Sequence, residues 1–417
     1  MKKLVVAILF SGLLALFAAI LPAFAAPAQS GNTVTVASTA NFPATITFSY
    51  HGSHYTTRLN DLFAQTDTQA FIVIRNNTNT DLYVSNAGSD SNPGTQASPF
   101  ATINKAASIA TPGTTVHVLP GIYSEAVINN NSGTATAPIT FISDIKWGAK
   151  IVGTGGLSSF PFRNNASYVR IIGFDMTSSS ASDGIDLFGS SNIVQGNHVH
   201  DMTGMACNGS PGGSGIGDNS GSNNIFDGNT INNIGIYPGK CDYIHGLYVD
   251  DAGDIVENNI SYNNAGNGIY VNHETGPVIF INNTSFANGE YGFGINGSKK
   301  VGGFTVANNI SMGNGLAGFK TWKVITSAQY INNISFNNPI NFIQVGKGTV
   351  TDTGTITADP QFVNYQANGS GDYHLKAGSP AIDTGISTNA PNHDFDGNPR
   401  PDGLENACDI GAYESSY

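Results

Sequence analysis

Two neighbouring stretches of the sequence concentrate side chains that can carry acid–base or metal chemistry. HGLYVDDAGD and NGIYVNHE supply imidazole, phenol and carboxyl groups at His245, Tyr248, Asp250, Asp251, Asp254, Tyr270, His273 and Glu274. Carboxylates within a few ångströms of one another raise each other's pKa unless a cation or a shared proton relieves the repulsion. Two kinds of site therefore fit, a calcium site at Asp250, Asp251 and Asp254 or a hydrolytic acid/base pair that includes Glu274.

The elements that position these groups are short strands in an internal repeat. One column of the repeat is an asparagine, at Asn197, Asn229, Asn259, Asn283, Asn309 and Asn333. A second column is a glycine followed by an apolar residue, at Gly184, Gly215, Gly246, Gly268, Gly292 and Gly318. Runs such as NGIYV alternate apolar and polar residues, which is strand periodicity. Such units bury their apolar face only by stacking, so we expect coils about 4.8 Å apart, joined by an asparagine ladder.

Each column glycine sets the register of its strand. The first and third residues after it are mostly apolar and are predicted to face the core, so the second and fourth face solvent. The second position reads Asp186, Gly217, Tyr248, Tyr270, Gly294 and Lys320, and the fourth reads Phe188, Asn219, Asp250, Asn272, Asn296 and Trp322. Aromatic and polar rows of this kind suit a linear sugar polymer, and a solvated strand face without function is the alternative. The predicted substrate contacts are His245, Tyr248, Asn272, Asn296, Trp322 and Lys323.

The start of the repeat region carries a resemblance to a known architecture. Residues 82–125 contain a helical stretch near Ile103 to Ala110 followed by the strand TVHVLP. This segment resembles the opening of exported bacterial β-helix proteins with pectate-lyase-like architecture. The resemblance implies an all-β fold, a right-handed parallel β-helix solenoid with an N-terminal capping helix that plugs the first coil, and small flanking β segments. The expected limits are a signal peptide at 1–25, a small β-rich segment at 26–80, the β-helix at 81–350 and a C-terminal module at 351–417.

Both ends of the chain carry further signals. Two lysines, an apolar run from Leu4 to Ile20 and the sequence Ala23-Phe24-Ala25 form the pattern of a cleaved signal peptide, which predicts a secreted or cell-surface protein without a transmembrane segment in the mature chain. SPAIDTG, DFDGNPRP and DIGAYE resemble the choice-of-anchor module found behind such solenoids. That module contains four acidic residues whose carboxylates either hold a cation or form turns: Asp394, Asp396, Asp402 and Asp409.

The charge composition of the chain limits the classes of molecule that the protein is expected to bind. The net charge is −12 and only 11% of residues are charged. An acidic surface argues against nucleic acid as a partner, and it disfavours polyanionic sugars unless a bound cation bridges the two. We expect a monomer whose partner is a polysaccharide.

Two short motifs resemble one calcium-dependent pectate lyase family. Asp-Asp-x-x-Asp at Asp250 resembles the calcium site of that family, and AGFKTW around Lys320 resembles its Gly-Phe-Lys catalytic base. Elimination needs a cation on the uronate carboxylate and a base beside the same sugar. Lys320 lies three coils beyond Asp250, roughly 14 Å away at about 4.8 Å per coil, so we expect a substrate contact or a second choice of base there. Tyr270 and His273 lie one coil away and are the preferred candidates.

Three functions compete. The leading hypothesis is a polysaccharide lyase that cleaves an acidic polysaccharide by calcium-assisted β-elimination. The second is a glycoside hydrolase that uses two of Asp250, Asp251 and Glu274. The third is a non-catalytic solenoid that binds glycan or adheres to it. In each case the centre is expected where Gly246 and Gly268 begin their strands, beside the long loops at 201–221 and 233–243.

The three cysteines are Cys207, Cys241 and Cys408. Cys207 and Cys241 follow Asn197 and Asn229 at nearly the same distance, which places them at equivalent points on successive coils. We therefore predict a disulfide between these two and a buried thiol at Cys408.

Overall fold

The computed structural model describes residues 5–9, 34–36, 45–50, 53–58, 69–73, 81–156, 160–205, 207, 212–236, 241–273, 276–297, 302–322, 327–346, 348–403 and 407–416. The chain forms two compact units, Met1–Asn77 and Thr78–Tyr417. In the first unit, β1 (Val5–Leu9) pairs antiparallel with β5 (Gln69–Val73). A second antiparallel sheet of this unit has the order β2 (Val34–Val36), β3 (Thr45–Tyr50), β4 (Ser53–Arg58). The other residues of the expected signal peptide and N-terminal segment lie outside the described residues.

The second unit is a parallel β-helix, in which the chain visits three sheets in turn. Sheet 1 consists of β6 (Asp81–Val84), β7 (Thr115–Val118), β10 (Ile139–Ser143), β13 (Val169–Ile172), β16 (Ile193–Gln195), β19 (Ile225–Asp227), β22 (Ile255–Glu257), β25 (Ile279–Ile281), β28 (Phe304–Ala307), β31 (Ser327–Ile331) and β34 (Thr349–Thr353). Sheet 2 consists of β8 (Gly121–Tyr123), β11 (Ala149–Val152), β14 (Asp175–Thr177), β17 (His198–Met202), β20 (Thr230–Ile234), β23 (Ile260–Tyr262), β26 (Thr284–Phe286), β29 (Ile310–Met312) and β32 (Ile334–Phe336). Sheet 3 consists of β9 (Val127–Asn129), β12 (Phe162–Asn164), β15 (Asp183–Leu187), β18 (Gly213–Asp218), β21 (Ile244–Val249), β24 (Asn267–Val271), β27 (Tyr291–Asn296), β30 (Ala317–Trp322) and β33 (Ile340–Val345).

Buried and more exposed side chains alternate along the strands, and the buried ones form the core of the stacked coils. In β10 the side chains of Ile139, Phe141 and Ser143 are buried and those between them are not. Each inward side chain stacks on the equivalent residue of the next coil, as Phe141 does on Ile171. Because a single coil leaves its apolar face open, this stacking is what buries it. The predicted all-β, right-handed parallel β-helix is confirmed.

The asparagine ladder also follows the prediction. From Asn197 to Asn333, the backbone and side-chain N–H groups of each column asparagine donate to the side-chain oxygen of the next one, at 2.9–3.1 Å. A second ladder, which the sequence analysis did not single out, runs through Asn264, Asn288, Asn314 and Asn338. Apart from Asn338, which is half-buried, the asparagines of both ladders are buried, so they satisfy backbone groups that water cannot reach.

The helix α1 (Ile103–Ile109) closes the N-terminal end of the stack. The side chain of Thr102 caps it by accepting from the backbone N–H of Lys105. Ile103, Ala106 and Ala107 are buried in the same hydrophobic cluster as the first coils. The expected capping helix is therefore present.

The C-terminal segment lies against the outer face of sheet 2. It contains the antiparallel pair β35 (Phe362–Asn364) and β36 (Asp372–Leu375). Phe362, Tyr373 and Leu375 form one buried cluster with residues of β23, β26, β29 and β32. Asn258, Asn282, Asn308 and Asn332, each preceding a ladder asparagine, donate to backbone carbonyls of this segment.

Two acidic residues of this segment accept several backbone N–H groups each. Asp394 accepts backbone N–H groups from Asp396, Asn398 and Glu414. Asp409 accepts those of Asp383 and Ser415. The bonds of Asp394 to Asp396 and Asn398 match the turn alternative at that residue, and both the cation alternative and the resemblance to a choice-of-anchor module stay predictions.

Cys207 and Cys241 form a disulfide, with their Cα atoms 4.7 Å apart, and Cys408 is a buried free thiol, as predicted. Among the described residues, no helix is long and apolar enough to cross a bilayer.

Candidate active site

The outer face of sheet 3 carries the predicted row of second-position residues. Strand pairing places Asp186, Gly217, Tyr248, Tyr270, Gly294 and Lys320 side by side on successive coils. The core-facing neighbours Leu247 and Ile269 pair in the same register. The predicted register of this sheet is therefore confirmed.

An aromatic stack occupies the middle of this row. The His245 ring is parallel to Tyr270 at 4.5 Å and near-parallel to Tyr248 at 5.3 Å, measured between ring centroids. Tyr270 lies over Gly294, where a Cβ atom would come within 2.3 Å of its ring. The three rings cover one another, so Tyr248 and Tyr270 are only 9% and 7% exposed. The outward direction was predicted, but the open aromatic surface expected for sugar stacking is largely covered.

Burial also sets the protonation of the stack. Loss of solvent lowers the pKa of His245 to about 3, so its imidazole is neutral, and Asn267 lies 3.1 Å from its Nδ1. Burial raises the pKa of Tyr270 to about 12, so its hydroxyl keeps its proton at neutral pH. Tyr270, a predicted catalytic residue, is therefore unsuited to act as a base in the free protein.

A carboxylate cluster lies at the end of β21, beside this stack. Asp250 and Asp251 follow β21 directly and are partly exposed. Asp254 is instead buried at the corner before β22, where its Oδ1 accepts the backbone N–H of Asn224 at 2.8 Å. That bond continues a short ladder in which Asn224 accepts from Asn192, so Asp254 serves the fold as well as the cluster.

The fourth member of the cluster is Asp218, at the end of β18, which the sequence analysis missed. Its carboxyl group is fully buried, lies beside the carboxyl group of Asp254 and accepts from the Asn224 amide at 3.0 Å. The signal was available, since Asp218 is a charged residue at a third position, which is apolar in four of the six repeats. Among the described residues, no three of these four aspartates bring one oxygen each to within 4.8 Å of the others, so the predicted trio is not a compact site, and adding Asp218 does not make it one.

The cluster carries more negative charge than its surroundings relieve. Asp218 Oδ1, Asp250 Oδ1 and Asp254 Oδ2 are buried oxygens that accept no N–H or hydroxyl donor of the described residues. Burial is the main cause that raises the pKa of Asp250 to about 6; the attraction of His273 opposes it, and the weaker repulsion from Asp251 adds to it. Burial and mutual repulsion also raise the pKa of Asp254, and burial raises that of Asp218. A proton or a cation is therefore needed to relieve these carboxylates at neutral pH.

His273 is the exposed base candidate next to the cluster. Its side chain is 62% exposed, and its Nδ1 lies 3.5 Å from Asp250 Oδ2. Its backbone has a φ of 69°, in the left-handed region that residues with a Cβ adopt at a cost. The turn after β24 thus holds an accessible imidazole beside Asp250, one coil along the stack.

The other predicted substrate contacts lie further along the row. Asn296 donates to Asn272 at 2.6 Å, which joins two coils of the outer face. Lys320 lies over the rings of Tyr291 and Trp322, at 4.1 and 5.0 Å from the ring centroids. Lys320 is three strands from β21, so the expected separation from Asp250 holds. Glu274 and Lys323 lie outside the described residues, as do 208–211 and 237–240 of the two long loops, which the Cys207–Cys241 disulfide joins.

Comparison with known proteins bears on the coil stack. Residues 82–242 match the family model described as "Pel9A-like, right handed beta helix region". This stretch is similar to the Pel9A-like β-helix. The resemblance to pectate-lyase-like proteins inferred from residues 82–125 is thereby confirmed for the fold.

Solved structures share the same architecture over more of the chain. The crystal structure of pectate lyase Pel9A superposes with a TM-score of 0.54 at 18% identity, covering 80% of this chain and 96% of that one. A rhamnogalacturonan lyase superposes with a TM-score of 0.50 at 20% identity, covering 62% and 74%. The uncharacterized protein YwoF of Bacillus subtilis (strain 168) is 48% identical over 60 residues, which are 14% of this chain and 13% of that protein. At these identities the solved structures establish the fold.

Proposed function

We propose that this chain is an exported polysaccharide lyase that cleaves an acidic polysaccharide by calcium-assisted β-elimination. The observation that supports this most is the set of unpartnered carboxyl oxygens on Asp218, Asp250 and Asp254, beside the exposed imidazole of His273. Such oxygens need a positive charge, and an acidic chain needs a cation in order to accept an acidic polymer.

Calcium suits the chemical type of these donors, although the carboxylates would have to move closer together in order to share one ion. It binds six to eight oxygen ligands, mostly carboxylates and carbonyls, in a flexible geometry. Asp218, Asp250, Asp251 and Asp254 supply carboxylates from two adjacent coils, and three of them have an oxygen to spare. When bound there, calcium would neutralise the carboxylate of a uronate and acidify the adjacent C–H bond.

The residues of the chain account for the remaining chemistry. His273 takes the proton from the carbon next to the uronate carboxylate, and Asp250 orients its imidazole. The electron pair of that C–H bond forms a C=C bond, the glycosidic C–O bond breaks, and the departing oxygen takes a proton from water. Lys320 and Trp322, three coils away, contact the same polymer further along its length.

Two further observations support this class of function. The solved structures with the same fold include proteins named as a pectate lyase and a rhamnogalacturonan lyase. The signal-peptide pattern and the Cys207–Cys241 disulfide both suit an oxidising, extracellular compartment.

The test is a panel of uronate polymers, including polygalacturonate, rhamnogalacturonan and alginate, incubated with the protein in calcium and in EDTA. We expect the ultraviolet absorbance of the unsaturated product to rise with one of them, only when calcium is present. Asp250→Ala, Asp251→Ala and His273→Ala should each abolish that signal while the melting temperature shifts by a few degrees at most, as exposed substitutions usually do. His374→Ala is the matched control, since His374 also lies beside carboxylates, Asp372 and Asp396, in the C-terminal segment. Full activity in all three site variants would show that the site lies elsewhere.

One observation favours hydrolysis as the second candidate. A pKa of about 6 at Asp250, next to Asp251, suits a carboxyl group that donates a proton near neutral pH. New reducing ends without the ultraviolet signal, insensitive to EDTA, would identify a glycoside hydrolase. Measurable binding with unchanged polymer length would identify a non-catalytic glycan-binding solenoid.

A further inference from the structure

A second cluster of ligand-type side chains lies on sheet 2, on a different face of the β-helix. Asp175 begins β14 and pairs with His198 at the start of β17. His200 is two residues after His198, so both imidazoles leave the strand on the same side. Lys150 on β11 pairs with Asp175 from the preceding coil. Three adjacent coils therefore place a cation, a carboxylate and two imidazoles together.

The distances in this cluster match those between the ligands of one metal ion. His200 Nε2 lies 3.2 Å from both carboxylate oxygens of Asp175, and His198 Nδ1 lies 3.6 Å from Oδ2. Ligands about 2.0–2.1 Å from a tetrahedral zinc ion are about 3.3 Å from one another. Among the described residues, these three are the one group of histidine, cysteine and acidic side chains whose ligand atoms all lie within 4.8 Å.

The outer nitrogens of both imidazoles are already held by acceptors. His200 Nδ1 lies 2.8 Å from Asp201 Oδ2, and His198 Nε2 lies 2.8 Å from the amide oxygen of Asn232. A carboxylate or an amide oxygen only accepts, so each outer nitrogen carries the N–H. The inner nitrogens, His198 Nδ1 and His200 Nε2, both face the Asp175 carboxylate, and a metal ion between these groups would take the place of the protons that they share in its absence.

Neighbouring residues hold the ligands in place. The second oxygen of Asp201 accepts from Asn233 at 2.8 Å, and Lys150 Nζ lies 3.2 Å from Asp175 Oδ1. Oδ1 therefore contacts both Lys150 and His200, while Oδ2 faces both histidines. An N–H from the outer nitrogen to a carboxylate or carbonyl is the usual support of a metal-bound histidine, because it fixes the ring and raises its basicity.

We propose that His198, His200 and Asp175 form a binding site for a divalent transition metal ion, with zinc the preferred ion. Two imidazoles and one carboxylate suit zinc and disfavour calcium, which takes oxygen ligands. The three side chains are partly exposed, which leaves a further coordination position open to water or a ligand. The ion would link β14 to β17 across two coils and stabilise the folded chain by mass action.

The test uses untagged full-length protein, freed of metal with EDTA and titrated with zinc by calorimetry at neutral pH. We expect one zinc ion per chain, and binding weakened about 100-fold or more in His198→Ala and His200→Ala. Asp201→Asn should weaken it by about 10-fold, because it leaves the ligands in place and alters only their support. His117→Gln is the matched control. His117 lies between Asp81 and Asp144 on sheet 1, and within the described part of the chain it belongs to no group of three ligand-type side chains, so its loss should leave the affinity unchanged.

A second measurement separates loss of the site from loss of the fold. The Trp147 ring lies 5.0 Å from that of His198, so cobalt bound at the site should quench the tryptophan fluorescence of the wild type and of His117→Gln, but not of the two alanine variants. Far-ultraviolet circular dichroism without metal should be the same for all of them. Failure of the wild type to take up zinc, or unchanged uptake by His200→Ala, would overturn the proposal and leave the cluster as an ion-pair network around Asp175.

Discussion

At the scale of single residues, the candidate site is governed by charge taken out of water. Asp218 and Asp254 lie inside the corner between sheets 3 and 1, whereas Asp250 is partly exposed and His273 faces solvent. Burial raises the pKa of Asp254, Asp218 and Asp250, the last to about 6. The fold therefore holds these groups in a state that favours a bound proton or a bound cation.

This arrangement predicts that the stability of the folded chain depends on pH and on calcium, and that Asp254 is responsible for both effects. A carboxyl group with a raised pKa binds more protons in the folded than in the unfolded state, so the contribution of Asp254 to stability falls as pH rises above about 4 and is still falling at neutral pH. In EDTA we expect Asp254→Asn to melt above the wild type at neutral pH, with the difference shrinking toward pH 4. The asparagine keeps the acceptor for the Asn224 N–H, as Asn224 itself does for Asn192.

With calcium present, the wild type should melt above Asp254→Asn, because calcium binds the deprotonated carboxylates. Adding calcium at neutral pH is expected to raise the melting temperature of the wild type and to have little effect on Asp254→Asn. Differential scanning calorimetry at several pH values with calcium or EDTA makes the measurement. If calcium raised the melting temperature of both proteins equally, Asp254 would not be a ligand of the cation.

At the scale of the element, each coil depends on its neighbours through the ladders. Asn283 donates to Asn309, Val256 and Ile281, and its own oxygen accepts two N–H groups of Asn259. All of these groups are buried, so none has water as a substitute partner. Each ladder asparagine thus joins three coils through hydrogen bonds.

Replacing Asn283 with Ala should cost about 3 kcal/mol of unfolding free energy, because it strands several buried polar groups and opens a cavity. Urea unfolding at equilibrium measures the loss. Gln329→Ala is the control, since Gln329 is exposed on the outer face of β31, and its replacement should change stability by about 0.5 kcal/mol or less. Equal losses in the two variants would contradict the assignment of the ladder as a main source of stability.

At the scale of the whole molecule, the C-terminal segment completes the β-helix. Phe286, Ile310 and Ile334 project from the outer face of sheet 2 and are buried because Phe362, Tyr373 and Ile410 pack on them. Arg400, fully buried, pairs with Glu414 at 2.9 Å and donates to the carbonyls of Asp409 and Gly411, which holds the last turns together. Without this cover, sheet 2 would present a continuous apolar surface.

A chain of residues 78–353 should therefore aggregate or bind a hydrophobic dye strongly, whereas a chain of residues 78–417 should stay soluble. Both contain every strand of the β-helix, so any difference between them is due to the C-terminal segment. Light scattering and dye fluorescence make the measurement. A shorter chain that is soluble and melts at the temperature of the longer one would show that the segment contributes nothing to stability.

The sequence by itself determined the coil stack, its register, the first asparagine ladder and the disulfide. These follow from local periodicity: a strand alternates faces every residue, and a repeat of constant pattern places equivalent residues one above another. The row from Asp186 to Lys320 could be written down for that reason, and strand pairing bears it out.

Only the tertiary structure decided what lies together at the corners and what remains open to solvent. Asp218 meets Asp254 although 36 residues separate them, because the corner between two sheets brings successive coils into contact. Tyr248 and Tyr270 face outward as predicted, yet they are covered, since exposure depends on the packing of neighbouring rings rather than on strand direction. The His198, His200 and Asp175 cluster escaped the sequence analysis because periodicity assigns a side chain to a face, whereas ligand geometry depends on distances across coils.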